Sequence, residues 1–207
     1  MKNLANQRHL STINNPNLKN FHQWIRDPIK LLSQQKHNGF AVSMIAFPVL
    51  ERWIRGKVGI KNRRLREDDG ERFYNELAIQ FGALRDPEDG SFPNVAKAFW
   101  ELFRHGILHQ ATFSTKPIKI CIDEKWVSCA FVELGVPIVT QHPPPSFQLD
   151  PYSFAKTVLS IVERDFNFYE AADPDHHNLA TVANDTTHSW IQAMVEPRSK
   201  DVPKLTA

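Results

Sequence analysis

Apolar side chains recur at intervals of three and four residues along most of the central chain. This spacing places them on one face of an α-helix. It predicts five amphipathic helices, whose apolar faces cover residues 21–32, 40–54, 73–84, 95–106 and 154–166. Pro28 and Pro48 are expected to disturb the first two helices, because proline lacks the backbone donor that a helix interior uses. Asp150 and Pro151 are expected to open the fifth.

Helical spacing also predicts which side chains these faces bury. The first helix is expected to bury the stripe Phe21, Trp24, Ile25, Ile29 and Leu32. The fourth helix is expected to bury the stripe Val95, Phe99, Leu102 and Gly106. Both expectations assume regular α-helical geometry, in which residues three and four apart share a face.

After residue 112 the pattern changes to the alternation that is typical of β-strands. Ile118, Ile120 and Ile122 alternate with polar residues, and a second apolar segment follows at 127–132. This predicts an antiparallel hairpin, with a third short strand at 136–140. The predicted fold class is therefore mainly α: a bundle of about five helices carrying a small antiparallel β-hairpin or three-strand insert at about 113–140.

The two ends of the chain lack this periodicity. Residues 1–17 are rich in Asn and are expected to form a flexible N-terminal arm. Residues 173–207 are polar and interrupted by proline, so we expect a partly disordered tail. A single helical domain is predicted between them, at 18–172.

Composition narrows the class of protein. The chain has 207 residues, 42% of them hydrophobic, which is enough to bury a core without disulfides or a cofactor. A net charge of +2 excludes a protein that coats nucleic acid over its whole surface, so an anionic partner must bind a local patch. No apolar run approaches the roughly 20 residues that cross a bilayer. Two cysteines and a polar N-terminus favour a cytoplasmic protein without membrane contact.

One short segment carries residue types suited to phosphodiester chemistry. In the run FRHGILH at 103–109, Arg104 is followed after four residues by His109. Cleaving a phosphodiester without a metal requires a group that moves a proton near neutral pH and a cation that neutralises charge on the phosphoryl oxygens. Histidine supplies the first, and the guanidinium fork of arginine supplies the second.

This segment resembles the Arg-x4-His motif of the HEPN superfamily, the higher eukaryotes and prokaryotes nucleotide-binding domains. The resemblance implies a bundle of four or five helices, commonly dimeric, whose active members cut RNA without a metal. By position, it makes Arg104 the phosphate-binding cation and His109 the proton-transfer residue. His105 occupies the polar position after the arginine, where Asn or Asp is common in the family.

The resemblance implies a metal-independent endoribonuclease that cleaves RNA by attack of the 2′-hydroxyl. We expect it to need no cofactor, to act as a homodimer and to belong to a defence or toxin system with a neutralising partner protein. The alternative is a non-catalytic helical module of the same fold that binds nucleotide, RNA or a protein. A plain dimerising scaffold is the third possibility.

The residues themselves leave structural alternatives open. On a regular α-helix, five residues rotate the chain by about 140° beyond a full turn, so Arg104 and His109 do not share a face. His109 is then a core histidine, and Arg104 is a solvated surface charge. A dimer removes this constraint, because Arg104 of one copy can then meet His109 of the other.

Two other polar clusters are candidate binding sites. The basic run at 52–66 includes Lys57, Arg63 and Arg64 as candidate RNA-binding residues, with a solvated connection between helices as the alternative. A second cluster holds side chains that ligate divalent metals, namely Asp173, Asp175, His176 and His177. It lacks the separated second pair that closes a zinc site, so no metal site is predicted.

Overall fold

The computed structural model describes residues 15–61, 67–88, 90, 94–105, 118–122, 125–141 and 146–172. The α-helices are α1 (Pro16–Phe21), α2 (Asp27–Ser33), α3 (Gly39–Val58), α4 (Glu67–Gln80), α5 (Val95–Trp100), α6 (Pro151–Arg164) and α7 (Phe166–Ala171). The strands are β1 (Ile118–Ile122), β2 (Lys125–Phe131), β3 (Ile138–Gln141) and β4 (Ser146–Leu149). His22–Arg26 and Glu101–His105 are π-helical, and Gly82–Leu84 is a 3-10 turn. The predicted class, mainly helical with a small sheet, is confirmed.

The chain divides into two compact units, one formed by Met1–Phe21 with Pro174–Ala207 and the other by His22–Asp173. Within the described residues the first unit contributes α1, where the Asn15 side chain accepts hydrogen bonds from the amides of Asn17 and Leu18. That is the usual role of an N-cap asparagine. The predicted arm and tail otherwise fall on residues 1–14 and 173–207, which lie outside the described part of the chain.

Helix α3 is the central element of the second unit. It packs against α2, α4, α6 and α7, and Leu50 and Trp53 on it are fully buried. The Trp53 indole N–H donates to the Asp165 carbonyl at 3.1 Å, so the buried indole has a hydrogen-bond acceptor at the α6–α7 junction. Pro48 lies inside α3 without ending it.

Aromatic rings fill the space where α3, α4, α5 and α6 meet. The Phe47 ring lies 4.7 Å from Phe154 and 5.5 Å from Trp100, measured between centroids. Trp100 in turn lies 4.9 Å from Phe73 of α4. These edge-on and tilted contacts suit the ring quadrupoles, and they anchor the short helix α5 to α3 and α4.

The π-helical segment His22–Arg26 corrects the predicted stripe of the first helix. Trp24 was expected in the core, but its side chain is 61% exposed, whereas Phe21 and Ile29 are buried. Pro28 explains the difference, because its ring clashes with the carbonyl four residues earlier, which belongs to Trp24. The wider turn relieves that clash and rotates Trp24 out of the apolar face.

The second π-helical segment, Glu101–His105, shifts the buried face of the fourth helix. Val95 and Phe99 are buried as predicted, but the next core residue is Phe103 rather than Leu102, which is only partly buried. A π turn contains an additional residue, so the core-facing position moves by one. Gly106, the last member of the predicted stripe, lies outside the described residues.

The sheet differs from the predicted antiparallel insert. Its four strands are ordered β1-β2-β4-β3. The predicted hairpin of β1 and β2 is present, with Ile120 opposite Val127, but β2 and β4 pair in parallel. The third predicted strand, β3, pairs with β4 rather than with the hairpin. The prediction of a purely antiparallel insert is therefore wrong, and the sheet continues to Leu149.

Asp150 connects the sheet to α6. Its carboxylate accepts the amides of Tyr152 and Ser153 in the first turn of α6, and the amides of Leu134 and Gly135 in the turn before β3. Gly135 has a φ of +73°, a conformation that glycine adopts without strain. The predicted start of the last helix at Asp150 and Pro151 is confirmed.

Gly56 lets α3 approach α7 closely. A Cβ atom at this position would collide with the carbonyl oxygen of Phe168 and lie 2.8 Å from its carbonyl carbon. Because the obstacle is backbone, Gly56→Ala must displace α7, and we expect the free energy of unfolding to fall by about 1–3 kcal/mol. Urea denaturation followed by circular dichroism measures the change.

Gly70→Ala is the matched control for this prediction. Gly70 also lies inside a helix, but a Cβ there meets only the Tyr74 side chain, at 3.6 Å. Alanine at this position should leave stability unchanged or raise it by about 0.5–1 kcal/mol, since alanine is the better helix former. Equal effects of the two substitutions would contradict the close approach of α3 and α7.

None of the helices in the described ranges is long and apolar enough to span a membrane.

Candidate functional site around Arg104

Arg104 lies in the π-helical segment that follows α5. Its neighbour Phe103 is 2% exposed, and the Phe103 ring lies 4.9 Å from Phe99 and 5.4 Å from Phe131 of β2. These contacts pack the π turn against both the helical core and the sheet. The backbone that carries Arg104 is therefore fixed by its buried neighbour.

The Arg104 guanidinium is bound to Glu51 of α3. Its Nε donates to the carboxylate oxygen Oε2 at 3.1 Å, and one terminal nitrogen lies 3.0 Å from the same oxygen. The Arg104 side chain is 27% exposed and that of Glu51 is 16% exposed, so the pair sits at the boundary between core and solvent. Hydrogen bonds between charged groups are stronger than neutral ones, and these contacts orient the guanidinium toward α3.

The same carboxylate binds a second arginine. Arg55, one helical turn further along α3, donates from Nε to Oε1 of Glu51 at 3.0 Å, and its terminal nitrogen lies 2.9 Å from the same oxygen. Glu51 therefore lies between two guanidinium groups, one on each oxygen. The pairing of Glu51 with Arg55 follows from their four-residue spacing on a helix.

Tyr74 of α4 experiences the same group of charges. Its pKa is raised above the usual value, first by burial and then by the negative charges of Glu101 and Glu51, while the positive charge of Arg104 opposes the shift. The phenol therefore keeps its proton at neutral pH. Glu51, Glu101, Arg104 and Tyr74 thus form one electrostatic cluster.

Lys57, a predicted substrate-binding residue, is bound within the chain. Its ammonium donates to Oε1 of Glu76 at 2.7 Å and lies 5.0 Å from the centroid of the Trp53 ring. The Glu76 side chain is 8% exposed, so removing Lys57 would leave a buried carboxylate with less compensation. A phosphate that contacts Lys57 must share its ammonium with Glu76 or displace Glu76.

Other members of the basic run are engaged in the same way. Arg52 donates from Nε to the Tyr169 carbonyl at 2.9 Å, and its guanidinium lies 4.7 Å from the centroid of the Tyr169 ring. Arg52 therefore binds α3 to α7, as Lys57 binds α3 to α4. Arg52 and Lys57 of the basic run therefore stabilise helix packing.

Arg104 and Lys57 are the predicted site residues whose side chains the structure describes, and each binds its own carboxylate. His105 lies in the described backbone, but its side chain is outside the described part of the molecule. His109, Arg63 and Arg64 are also outside it, as are Asp173, Asp175, His176 and His177. The meeting of Arg104 with His109 and the contribution of Arg63 and Arg64 stay predictions.

Glu51 is, with Glu101 and Tyr74, a residue of this site that sequence analysis did not identify. Its spacing to Arg55 is visible in the sequence and predicts a helical ion pair. Its contact with Arg104 joins residues 53 positions apart, and no spacing rule predicts such a pair.

No group of three or more His, Cys, Asp or Glu side chains in the described ranges could hold a metal ion.

Comparison of the chain with models of protein families, with curated proteins and with solved structures finds no match.

Proposed function

We propose that this chain is a metal-independent endoribonuclease of HEPN type that acts as a homodimer. The observation that supports the proposal is the setting of Arg104, the arginine of the Arg-x4-His motif. Its guanidinium is fixed by Glu51, yet its side chain remains 27% exposed. A cation that is both oriented and accessible to solvent suits the stabilisation of charge on a phosphoryl group.

The local backbone also favours this proposal. Arg104 lies in a π-helical turn, a rare form that occurs frequently at functional sites. The 140° separation of Arg104 from His109 assumes a regular α-helix, and the turn that carries Arg104 departs from that geometry.

In the proposed reaction, one His109 accepts the proton of a ribose 2′-hydroxyl. The resulting oxygen attacks the adjacent phosphorus, and the bond from phosphorus to the 5′ oxygen breaks. His109 of the partner subunit, or a water molecule, protonates the departing 5′ oxygen. The products are a 2′,3′-cyclic phosphate and a 5′-hydroxyl, and Arg104 stabilises charge on the non-bridging oxygens throughout.

A second candidate function is favoured by the ion pairs. Arg104 binds Glu51 and Lys57 binds Glu76, so both cations also contribute to helix packing. In a non-catalytic module that binds nucleotide, RNA or a protein, Arg104 would serve to fasten the π turn to α3. RNA cleavage assays distinguish the two functions.

We expect the wild-type protein to cleave single-stranded RNA in the presence of EDTA and to leave DNA of the same sequence intact, because DNA lacks the attacking hydroxyl. His109→Ala should lower the cleavage rate by about 10²–10⁴-fold, the usual contribution of a general acid or base. Gel analysis of an end-labelled oligonucleotide measures the rate, and sensitivity of the new 3′ end to acid identifies the cyclic phosphate.

His37→Asn is the control for removal of a histidine. His37 has a φ of +74°, and asparagine adopts that conformation more readily than alanine does. This variant should cleave RNA at the wild-type rate. A wild-type protein that never cleaves RNA, together with a His109→Ala variant that melts several degrees lower, would instead assign His109 to the core and contradict the nuclease proposal.

A further inference from the structure

Glu51 occupies an unusual position among the carboxylates of the described chain. Both of its oxygens accept hydrogen bonds from arginines, Oε1 from Arg55 and Oε2 from Arg104. Its side chain is 16% exposed, and it belongs to the long, packed helix α3 rather than to the segment that carries the motif. Glu51, on the packed helix α3, therefore orients the guanidinium of Arg104, which lies on the π turn.

This control has a physical consequence for Arg104. A partly exposed arginine samples many rotamers, and restricting it to one requires compensating interactions. Binding through both Nε and a terminal nitrogen fixes the plane of the guanidinium as well as its position. A cation placed in advance stabilises a transition state without reorganising during the reaction.

Arg55 completes the arrangement. By binding Oε1, it leaves Oε2 to Arg104.

We propose that Glu51 is a positioning residue of the RNA-cleaving site, which holds the Arg104 guanidinium where it meets the scissile phosphate. This inference rests on the proposed function. It assigns Glu51 no contact with the RNA, so its effect passes entirely through Arg104.

Glu51→Gln tests the proposal. An amide has one oxygen and one donating nitrogen, so it can no longer accept from an arginine on both sides. Loss of a charged hydrogen bond to Arg104 should lower kcat by about 10–100-fold, with a smaller change in KM. Steady-state cleavage of a short RNA, measured well below the melting temperature of each variant, separates the two constants.

Asp69→Asn is the matched control. Asp69 is also a largely buried carboxylate, with a side chain 11% exposed, and it pairs with Arg72 of its own helix. If Asp69→Asn lowers kcat as much as Glu51→Gln does, the effect reflects general destabilisation, and the positioning role is overturned.

A double-mutant cycle with Arg104→Lys gives the decisive comparison. Lysine keeps a cation but lacks the planar fork that Glu51 orients. If Glu51 acts through Arg104, Glu51→Gln should reduce kcat much less in the Arg104→Lys background than in the wild type. Equal reductions in both backgrounds, or a fully active Glu51→Gln, overturn the positioning role while the nuclease proposal stands. An inactive wild-type protein overturns both.

Discussion

Arg104→Ala is expected to lower kcat for RNA cleavage by about 10²–10³-fold, the usual effect of removing a donor that stabilises developing negative charge. Stability should change by only about 1 kcal/mol or less, because the Arg104 side chain is 27% exposed and Glu51 keeps Arg55 as its partner. Cleavage kinetics with EDTA present and thermal unfolding of the same sample measure the two effects.

Arg26→Ala is the matched control for Arg104→Ala. The Arg26 side chain is 28% exposed and it pairs with Asp27 and Glu163, so it resembles Arg104 in burial and in the type of its partners. The Arg26→Ala variant should cleave RNA at the wild-type rate. Equal activity of Arg104→Ala and the wild type would contradict a role for Arg104 in the reaction. A large loss of stability in Arg104→Ala without loss of activity would assign the arginine to helix packing.

The positions of the helices could be predicted from the sequence because apolar periodicity depends on burial, which is the main stabilising term. Which residues of each helix face the core could not always be predicted. Trp24 and Leu102 were predicted to face the core, but each lies in a π-helical turn, and Phe103 is buried in place of Leu102. For Trp24 a local cause exists in Pro28. For Phe103 we find no comparable cause in the sequence, and its burial depends on the Phe99 and Phe131 rings.

The order of the strands could not be predicted from the alternation of apolar residues. Alternation identifies β1 and β2, and the short turn between them predicts antiparallel pairing. The parallel pairing of β2 with β4 joins segments separated by β3 and by the proline run at 143–145. It depends on which edge of the hairpin the chain returns to, and this is decided by tertiary packing rather than by local pattern.

The candidate site shows the same division between local and distant information. Arg104 was identified because its residue type and its spacing to His109 suit phosphate chemistry. Glu51 was not, since an isolated glutamate on a helix is ordinary and its contact with Arg104 exists only in the fold. Lys57 was identified from charge alone, and the fold places it against Glu76 and Trp53.

Asp150→Ala is expected to lower the free energy of unfolding by about 3–5 kcal/mol, since it removes a helix cap and leaves several backbone donors without their acceptor. Asp150 is 3% exposed, and it accepts four amides and the Ser153 hydroxyl. Asp165→Ala is the control: Asp165 also precedes a helix, but its side chain makes no cap hydrogen bond. A small, equal effect of both substitutions in urea denaturation would contradict this role.

The stabilisation of the fold by the Asp150 carboxylate should decrease as the pH falls. Burial alone would raise the pKa of Asp150, but hydrogen bonds from the Ser153, Gly135 and Leu134 amides and the Ser153 hydroxyl outweigh it, so the pKa lies below its usual value. A carboxyl group with a depressed pKa in the folded state stabilises the fold above its unfolded pKa of about 4, and this stabilisation is lost as pH falls through the folded value. The stability advantage of the wild type over Asp150→Asn should therefore be constant from pH 7 to about pH 5 and shrink in stronger acid. If the stability difference between the wild type and Asp150→Asn stays constant down to about pH 2, the amides of the sheet turn and α6 do not depend on an ionised carboxylate.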